Sequence, residues 1–303
     1  MRLGFALPIS GGWATPDNIT TIARDAEGAG FAGAWTFQRW LATEQLDGVY
    51  QSVLDPLILL GYAAAVTDRI RLGLAIVNGP FYSPVAIAKQ FAALDVLSNG
   101  RLDGGIGLGW SPLEYAAAGV PKKSRGRRYT EWLDCLDHLL TNEQVEFDGE
   151  FYTVPASTIA PRPVQRPRPP LLLGGSSEAA LLRAATRGDG WISSSRATVD
   201  DIAHGVAVVR AAAMETGKDP ADVRCVVRGV TRLHSEPIDG DRRPLSGSLE
   251  QIRDDLKLYA SKGVDEVFLD LNFDSERVGN TSADPAVAME LAARLMPLGS
   301  ESF

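Results

Sequence analysis

The sequence predicts a (β/α)8 barrel, the TIM barrel, and three observations lead to this prediction. Short apolar runs typical of buried strands recur eight times, and segments with helical spacing follow nearly all of them. The chain has 303 residues, and one such barrel typically needs about 250. The alternative, a doubly wound open sheet, needs a GxGxxG turn after its first strand. The stretch "LPISGGWATP" at that place does not supply one.

Eight strands are predicted because each run is short, apolar and bounded by turn residues. They are Leu3–Leu7, Gly33–Phe37, Ile70–Val77, Leu102–Leu108, Leu171–Leu173, Trp191–Ser193, Arg224–Leu233 and Glu266–Leu271.

Eight helices are predicted between and after these strands. They are Ile19–Ala29, Pro56–Val66, Pro84–Leu97, Arg128–Leu140, Ser177–Ala185, Val199–Thr216, Leu249–Lys262 and Asp284–Leu295. Thr15 or Asp17 can cap the first helix through its side-chain oxygen. Proline suits the first turn of the second helix, and Gly100 suits a left-handed cap after the third.

The stretch between the fourth and fifth strands is too long for an ordinary connection. At about 141–170 it contains a hairpin signal at Asp148-Gly149 and then a proline-rich run. We expect an irregular insertion lying over the barrel. No change of composition divides the chain, so residues 1–303 are predicted to form one barrel domain.

Composition excludes several classes of function. The formal net charge is -8, which argues against nucleic acid or an anionic membrane as a partner. The two cysteines and three histidines show no metal-ligand spacing, so no metal site is expected. There is no signal-peptide pattern and no apolar run of about 18 residues, so a cytoplasmic, soluble protein is expected. The basic run at 122–128 is either a solvated loop or a binding surface for an anion.

The residues that follow the strands are aromatic, amide-rich and glycine-rich, with few acids or histidines. Ligands bind at this end of a barrel. Gln38, Arg39 and Trp40 follow the second strand, while Trp13 and Trp110 follow the first and the fourth. No catalytic triad or pair of carboxylates is visible. These residues favour a flat conjugated ligand, with a redox cofactor supplying the chemistry.

Two glycine-rich stretches point to close approach of the backbone to a ligand. After the fifth strand, Gly174, Gly175, Ser176 and Ser177 lead into a helix, a pattern that suits phosphate binding or an ordinary serine cap. The fourth strand and its end, "RLDGGIGLGW", either lie against something planar or allow tight packing in the barrel.

Several motifs in order resemble the luciferase-like monooxygenase superfamily. They include "GFAGAWTF", "DRIRLGLAIVN", "SPVAIAKQFAALDVLSNGRLDGGIGLGWSPLEYAAAGVP", "RGRRYTEWLDCLDHLL" and "APRPVQRPRPPLLLGGSSEAALLRAATRGDGW". Within that superfamily the chain is most similar to oxidoreductases that use the deazaflavin coenzyme F420, whereas other members use FMN.

The resemblance implies a cofactor ring in the mouth of the barrel and a small-molecule substrate. It implies a non-prolyl cis peptide near Ala75-Ile76 against the ring, with Gly107 and Gly109 lining the pocket. The turn at 174–177 matches the family's phosphate site, and homodimers are common in the family. Trp13, Trp40 and Trp110 are predicted to wall the substrate pocket.

One departure bears on function. Many F420-dependent relatives carry an acid followed by histidine where this chain has Gln38 and Arg39. An amide does not titrate and arginine stays protonated, so neither side chain is a useful general acid. We expect Arg39 to orient or stabilise a substrate oxygen and Gln38 to hydrogen-bond the edge of the ring.

Three functions follow as hypotheses from the resemblance. The first is an F420-dependent oxidoreductase that transfers a hydride between deazaflavin and a small organic substrate. The second is an FMN-dependent monooxygenase, with a separate reductase regenerating the reduced cofactor. The third is a non-catalytic F420-binding protein, which the replacement at positions 38 and 39 supports. The basic run at 122–128 would suit the anionic tail of F420 and is not needed for FMN.

Overall fold

A computed structural model describes residues 1–43 and 48–303. Eight parallel strands form a closed barrel, in which each strand pairs with its neighbours in chain order and the last pairs with the first. The strands are β1 (Arg2–Ala6), β2 (Gly33–Thr36), β3 (Arg71–Leu74), β4 (Leu102–Gly107), β5 (Leu171–Gly174), β6 (Gly190–Ile192), β7 (Arg224–Val230) and β8 (Glu266–Asp270). The prediction of a (β/α)8 barrel is confirmed.

The helices surround the barrel. They are α1 (Pro16–Ala29), α2 (Pro56–Val66), α3 (Pro84–Leu97), α4 (Pro112–Ala117), α5 (Arg125–Thr141), α6 (Glu178–Arg187), α7 (Val199–Glu215), α8 (Leu249–Ser261) and α9 (Pro285–Leu295). The eight predicted helices are present, and α4 is an additional short one. Thr15 caps α1 by accepting from the Asn18 N–H, as one of the two proposed caps. No helix in residues 1–43 and 48–303 is long and apolar enough to cross a membrane.

The segment between α5 and β5 contains the expected hairpin. Its antiparallel strands are Val145–Asp148 and Thr153–Ser157. The proline-rich run that follows has cis peptides at Ala160-Pro161 and Arg166-Pro167. Within it, Gln165 binds Asp95 and the Leu102 carbonyl, which ties the run to the amino-terminal end of the barrel.

The interior of the barrel is filled by Trp35 of β2. Its ring stacks on Phe268 with centroids 4.9 Å apart. A Cβ at Gly4, Gly33 or Gly73 would lie 2.5, 2.7 or 2.3 Å from this indole. Glycines on three adjacent strands therefore provide the space that the large side chain needs.

The amino-terminal end of the barrel is closed by ion pairs. Asp103 lies 2.6 Å from an Arg71 nitrogen and 3.0 Å from an Arg224 nitrogen. Glu266 receives Arg224 at 2.9 Å and Arg2 at 3.3 Å. Burial alone would raise the pKa of Asp103, but the hydrogen bond from Arg71 and the charge of Arg224 hold it below its usual value. Burial raises the pKa of Glu266 despite the same cations.

Candidate active site

A cavity of about 330 Å³ opens at the carboxyl ends of the strands. Side chains and backbone from the ends of β2 through β7 surround it, as the sequence predicts for a barrel. The predicted residues that line it are Gln38, Arg39, Ala75, Ile76, Gly107, Gly109, Trp110, Gly174, Gly175 and Ser176.

The floor of this cavity is apolar and formed around a cis peptide. The bond between Ala75 and Ile76 is cis, at the position that the family resemblance indicates. The Ile76 side chain crosses the end of β4, where a Cβ on Gly107 would lie 2.0 Å from its Cδ1. Gly107 is therefore required for this floor, since any side chain there would displace Ile76. Leu108 and Ile192 extend the apolar surface.

The turn between β5 and α6 presents backbone to the cavity. Gly175 has φ +145°, a conformation that other residues rarely adopt, and its carbonyl accepts from Trp191 Nε1 at 2.7 Å. Ser177 precedes α6 without making a side-chain cap. The first N–H groups of a helix have no partner inside it. Here the Ala180 N–H donates to the Ser177 carbonyl, whereas the first two N–H groups of α6 have no partner among the described residues. These two remain open to an anion, which the dipole of α6 also favours.

Three hydroxyl residues follow the strand next to this turn. Ser193, Ser194 and Ser195 follow β6 and line the same cavity. Ser193 Oγ accepts from the Arg228 backbone N–H at 3.1 Å, while Ser194 is exposed. The serine run thus adds donors next to the turn and supports its interpretation as an anion site.

Gln38 is held at both ends of its amide. Its Oε1 accepts from the Asn78 N–H at 2.8 Å, and its Nε2 donates to Tyr82 Oη at 2.5 Å. The side chain therefore joins the end of β2 to the loop after β3. Gly109, with φ +84°, leaves room beside Asn78 in this loop, since a Cβ there would lie 3.3 Å from the Asn78 amide.

Arg39 is a buried cation with part of its guanidinium unused. Its Nε donates to the Leu41 carbonyl at 2.9 Å and lies 3.4 Å from Glu114 Oε1. The guanidinium also lies 4.9 Å from the ring centre of Trp110 and 5.4 Å from that of Tyr50. Its two terminal nitrogens have no hydrogen-bond partner among the described residues. They can therefore donate to an oxygen in the cavity.

A second cation, Arg228 of β7, was not singled out from the sequence. Its Nε donates to the buried Asp270 at 2.7 Å, and its guanidinium lies between the rings of Phe37 and Phe273, at 4.4 and 4.1 Å. Strand residues alternate between two faces, so Arg224 and Arg228 share the inner face of β7. A charged residue at an inner position near the carboxyl end was the signal that could have identified it.

Two of the three predicted tryptophans do not line the cavity. Trp13 is fully buried, and its Nε1 donates to Asn272 Oδ1 at 3.1 Å. The substrate role predicted for Trp13 is therefore wrong, because the indole is packed in the core. Trp40 lies outside the lining, where it packs on Phe81 and donates to Tyr82 Oη. Trp110 lines the cavity and is 57% exposed.

Ser177 also lies outside the lining, because it occupies the cap position of α6.

Two buried tyrosines near the cavity donate to backbone carbonyls: Tyr115 to Leu108 and Tyr129 to Ile106. Burial raises the pKa of Tyr115 to about 12, so it remains a donor at neutral pH. Among the residues that the structure describes, no cluster of three potential metal ligands occurs.

The two ends of the basic run at 122–128 contact different parts of the protein. Lys122 Nζ donates to the Trp110 carbonyl at 3.2 Å, which places this end at the rim of the cavity. Arg127 pairs with Glu150 of the hairpin, and Arg128 lies 4.5 Å from the ring centre of Phe151. Only the first part of the run therefore faces the mouth.

Two relatives of known sequence are similar to part of this chain. An uncharacterized protein of Mycobacterium tuberculosis is 40% identical over 151 residues, which cover 50% of this chain and 53% of the relative. An FMNH2-dependent dimethylsulfone monooxygenase of Pseudomonas putida is 34% identical over 199 residues, which cover 65% of this chain and 53% of the relative. The chain thus spans about half the length of these two relatives.

Solved structures support the fold. The monooxygenase RslO1 of Streptomyces bottropensis has a TM-score of 0.81 at 22% identity, covering 98% of both chains. An F420-dependent secondary alcohol dehydrogenase in complex with an F420-acetone adduct has a TM-score of 0.79 at 15% identity, covering 99% of both chains.

A family model shows which family the chain belongs to, which these pairwise similarities do not. The model described as luciferase-like monooxygenase matches residues 1–239. This range includes β1 to β7 and every residue that lines the cavity. The chain therefore belongs to the luciferase-like monooxygenase family.

Proposed function

We propose that this chain is an F420-dependent oxidoreductase that acts on a small organic substrate. The observation that carries the proposal is a single cavity that combines an apolar floor with an open anion-binding turn. Membership of the family supports an enzyme with a flavin-type cofactor.

The residues fit a flat ring that bears an anionic tail. Glycine at 107 and the cis peptide at 75–76 leave a smooth apolar surface. A side chain at position 175 would not fit, because its Cβ would lie 2.5 Å from Ala180 Cβ. Glycine therefore leaves the backbone of the turn accessible. When bound, the deazaflavin would supply two-electron hydride chemistry.

Each side of the cavity then has a distinct task. Gly175, Ser176 and the N–H groups that open α6 would hold the anionic end of the cofactor. Ile76 would support the ring from below. The apolar floor, Trp110 and Tyr50 exclude water from the reacting face and strengthen the polar contacts there.

Arg39 would bind the substrate oxygen through its free terminal nitrogens. Glu114 orients it and accepts the backbone N–H of Trp40 at 2.8 Å, so the loop and the guanidinium are fixed by one carboxylate. Gln38 positions the loop after β3 through its two hydrogen bonds, and it has no proton to exchange.

A second candidate is an FMN-dependent monooxygenase. The observation that favours it is the similarity to the Pseudomonas putida enzyme, whose name states dependence on FMNH2. The F420 proposal is favoured by the basic rim at Lys122, which suits an anionic tail, and by the fold shared with the alcohol dehydrogenase. A non-catalytic F420-binding protein is the third candidate, supported by the replacement at 38 and 39.

Equilibrium titration with F420 and with FMN, followed by ring absorbance and fluorescence, separates these candidates. We expect F420 to bind at least about tenfold more tightly than FMN. Tighter binding of FMN would favour the monooxygenase. Binding of F420 without turnover across a panel of ketones, alcohols and imines would favour the non-catalytic protein.

A homodimer is proposed as the working assembly. Large apolar side chains on α2 and α3 are exposed, with Ile58 at 76% and Leu97 at 74%. Burial of such side chains against a second copy would remove apolar surface from water. Light scattering after size exclusion tests this, and a mass of 32.5 kDa would show a monomer instead.

A further inference from the structure

A second cavity, of about 360 Å³, lies beside the first. Residues that follow β6 and β7 line it, together with Tyr259 of α8. Ser195 and Arg228 line both cavities, so a ligand in the first can extend into the second. None of the functions proposed above uses this space.

The lining of the second cavity is rich in arginine. The side chains of Arg196 and Arg243 have no ion-pair or hydrogen-bond partner within residues 1–43 and 48–303. Arg242, in contrast, is neutralised by Asp255 at 2.6 and 3.0 Å. Asp241 is the carboxylate in the lining, so two unpaired cations face one acid.

A tyrosine hydroxyl points to a ligand independently of these charges. Tyr259 is 5% exposed and lines the cavity, and its Oη has no hydrogen-bond partner in the described part of the chain. The hydroxyls of Tyr115 and Tyr129, in contrast, donate to backbone carbonyls. Burial raises the pKa of Tyr259 to about 12, so the hydroxyl keeps its proton and can donate to an acceptor in the cavity.

We propose that the second cavity binds an oxyanion, a carboxylate or a phosphate, on a ligand that extends from the first cavity. The two guanidinium groups provide only donors, the phenol can add one more, and guanidinium suits both oxyanions. The anion has two sources: an acidic group of the substrate, or the glutamyl tail of F420. The second source rests on the proposed function.

The test uses the double variant Arg196→Ala/Arg243→Ala and, separately, Tyr259→Phe. The two arginines are exposed, so their removal leaves the core intact. Arg69→Ala is the matched control, since Arg69 is an exposed cation that precedes β3 at the amino-terminal end of the barrel and lines neither cavity. Calorimetric titrations use three probes: inorganic phosphate, F420 with its glutamyl tail, and the same cofactor without glutamyl residues.

If the substrate supplies the anion, the double variant binds inorganic phosphate at least about tenfold more weakly, and both forms of the cofactor bind as in the wild type. If the tail supplies it, the wild type prefers the tailed cofactor and the double variant loses that preference. Tyr259→Phe weakens binding of the same probe by a smaller factor, and Arg69→Ala has no effect.

The proposal is overturned if the wild type binds none of the probes, or if the double variant binds all of them as the wild type does. An equal loss in Arg69→Ala would also overturn it, because general attraction by positive charge would then explain the binding. Phosphate binding without binding of either cofactor would contradict the proposed function, but it would still support an oxyanion site in the second cavity.

Discussion

Both ends of the barrel contain arginine side chains, but the terminal nitrogens of these arginines have different partners at the two ends. At the amino-terminal end, the terminal nitrogens of Arg71 and Arg224 are paired with Asp103 and Glu266. At the carboxyl end, Arg39 and Arg228 each use Nε to bind a carboxylate, and their terminal nitrogens have no hydrogen-bond partner among the described residues.

This difference separates structural charge from charge available to a ligand. A guanidinium has five N–H donors, and a buried one must find acceptors for most of them. Where the chain supplies those acceptors, the cation closes the barrel. Where the chain supplies one carboxylate and the remaining donors border a cavity, the carboxylate holds the guanidinium in place and the remaining donors are available to a ligand. The following predictions test that contrast.

The largest effect is expected at the amino-terminal end. Asp103→Ala leaves two arginines without their shared carboxylate, and loss of one partner from a buried pair costs roughly 3–5 kcal/mol. Unfolding in urea measures the change. Asp134→Ala, which breaks the half-exposed pair with Arg187, is the control and should cost under about 1 kcal/mol. Equal effects of the two variants would show that the network adds no special stability.

At the opposite end, Gly175→Val should weaken cofactor binding by roughly tenfold or more. Valine at φ +145° strains the turn, and its Cβ would approach Ala180 and move the N–H groups that face the anion. Ring fluorescence measures the dissociation constant. Gly28→Val is the control, because a Cβ there meets nothing within 4 Å. Unchanged affinity would refute the anion-binding role of the turn.

Arg39→Ala should lower kcat/KM by about tenfold to a hundredfold and change cofactor affinity less. The reason is that Arg39 lines the cavity and, under the proposed function, its unused donors would bind the substrate oxygen. Because this variant removes the cation beside the buried Glu114, Arg39→Ala/Glu114→Gln is measured beside it, together with the free energy of unfolding. Activity equal to that of the wild type would remove Arg39 from the mechanism.

The smallest effect concerns pH. The folded-state pKa of Asp103 is below its ordinary value of 3.8. Its contribution to stability is therefore fully present above that value and is lost as pH falls through the folded pKa. Urea unfolding between pH 6 and about 3 should show a steeper loss for the wild type than for Asp103→Asn. Parallel pH profiles would contradict the lowered pKa.

Much of the fold was accessible from the sequence because its signals are local. The bounds Pro56–Val66 and Pro84–Leu97 agree with α2 and α3, since a proline opens each helix and the apolar run defines its length. The cis peptide at Ala75-Ile76 followed from family resemblance alone. The short helix α4 was missed because its six residues carry too little periodicity.

The residues that line the candidate site were predictable from their place after the strands, and the roles proposed for them stay predictions. Position after a strand identified Gln38, Arg39 and the turn at 174–176. The same reasoning misplaced Trp13, because adjacency to a strand end does not show which way an indole points. Its contact with Asn272 joins residues 259 positions apart, a separation that no local pattern reveals.

By itself, the sequence determined the alternation of strands and helices, the family and the glycine positions, since each depends on neighbouring residues or on a shared motif. Tertiary structure decided which arginines are neutralised and which keep free donors, because every partner carboxylate comes from a distant segment. It also decided that the residues after β6 and β7 enclose a second cavity, since closure of the barrel brings those loops together.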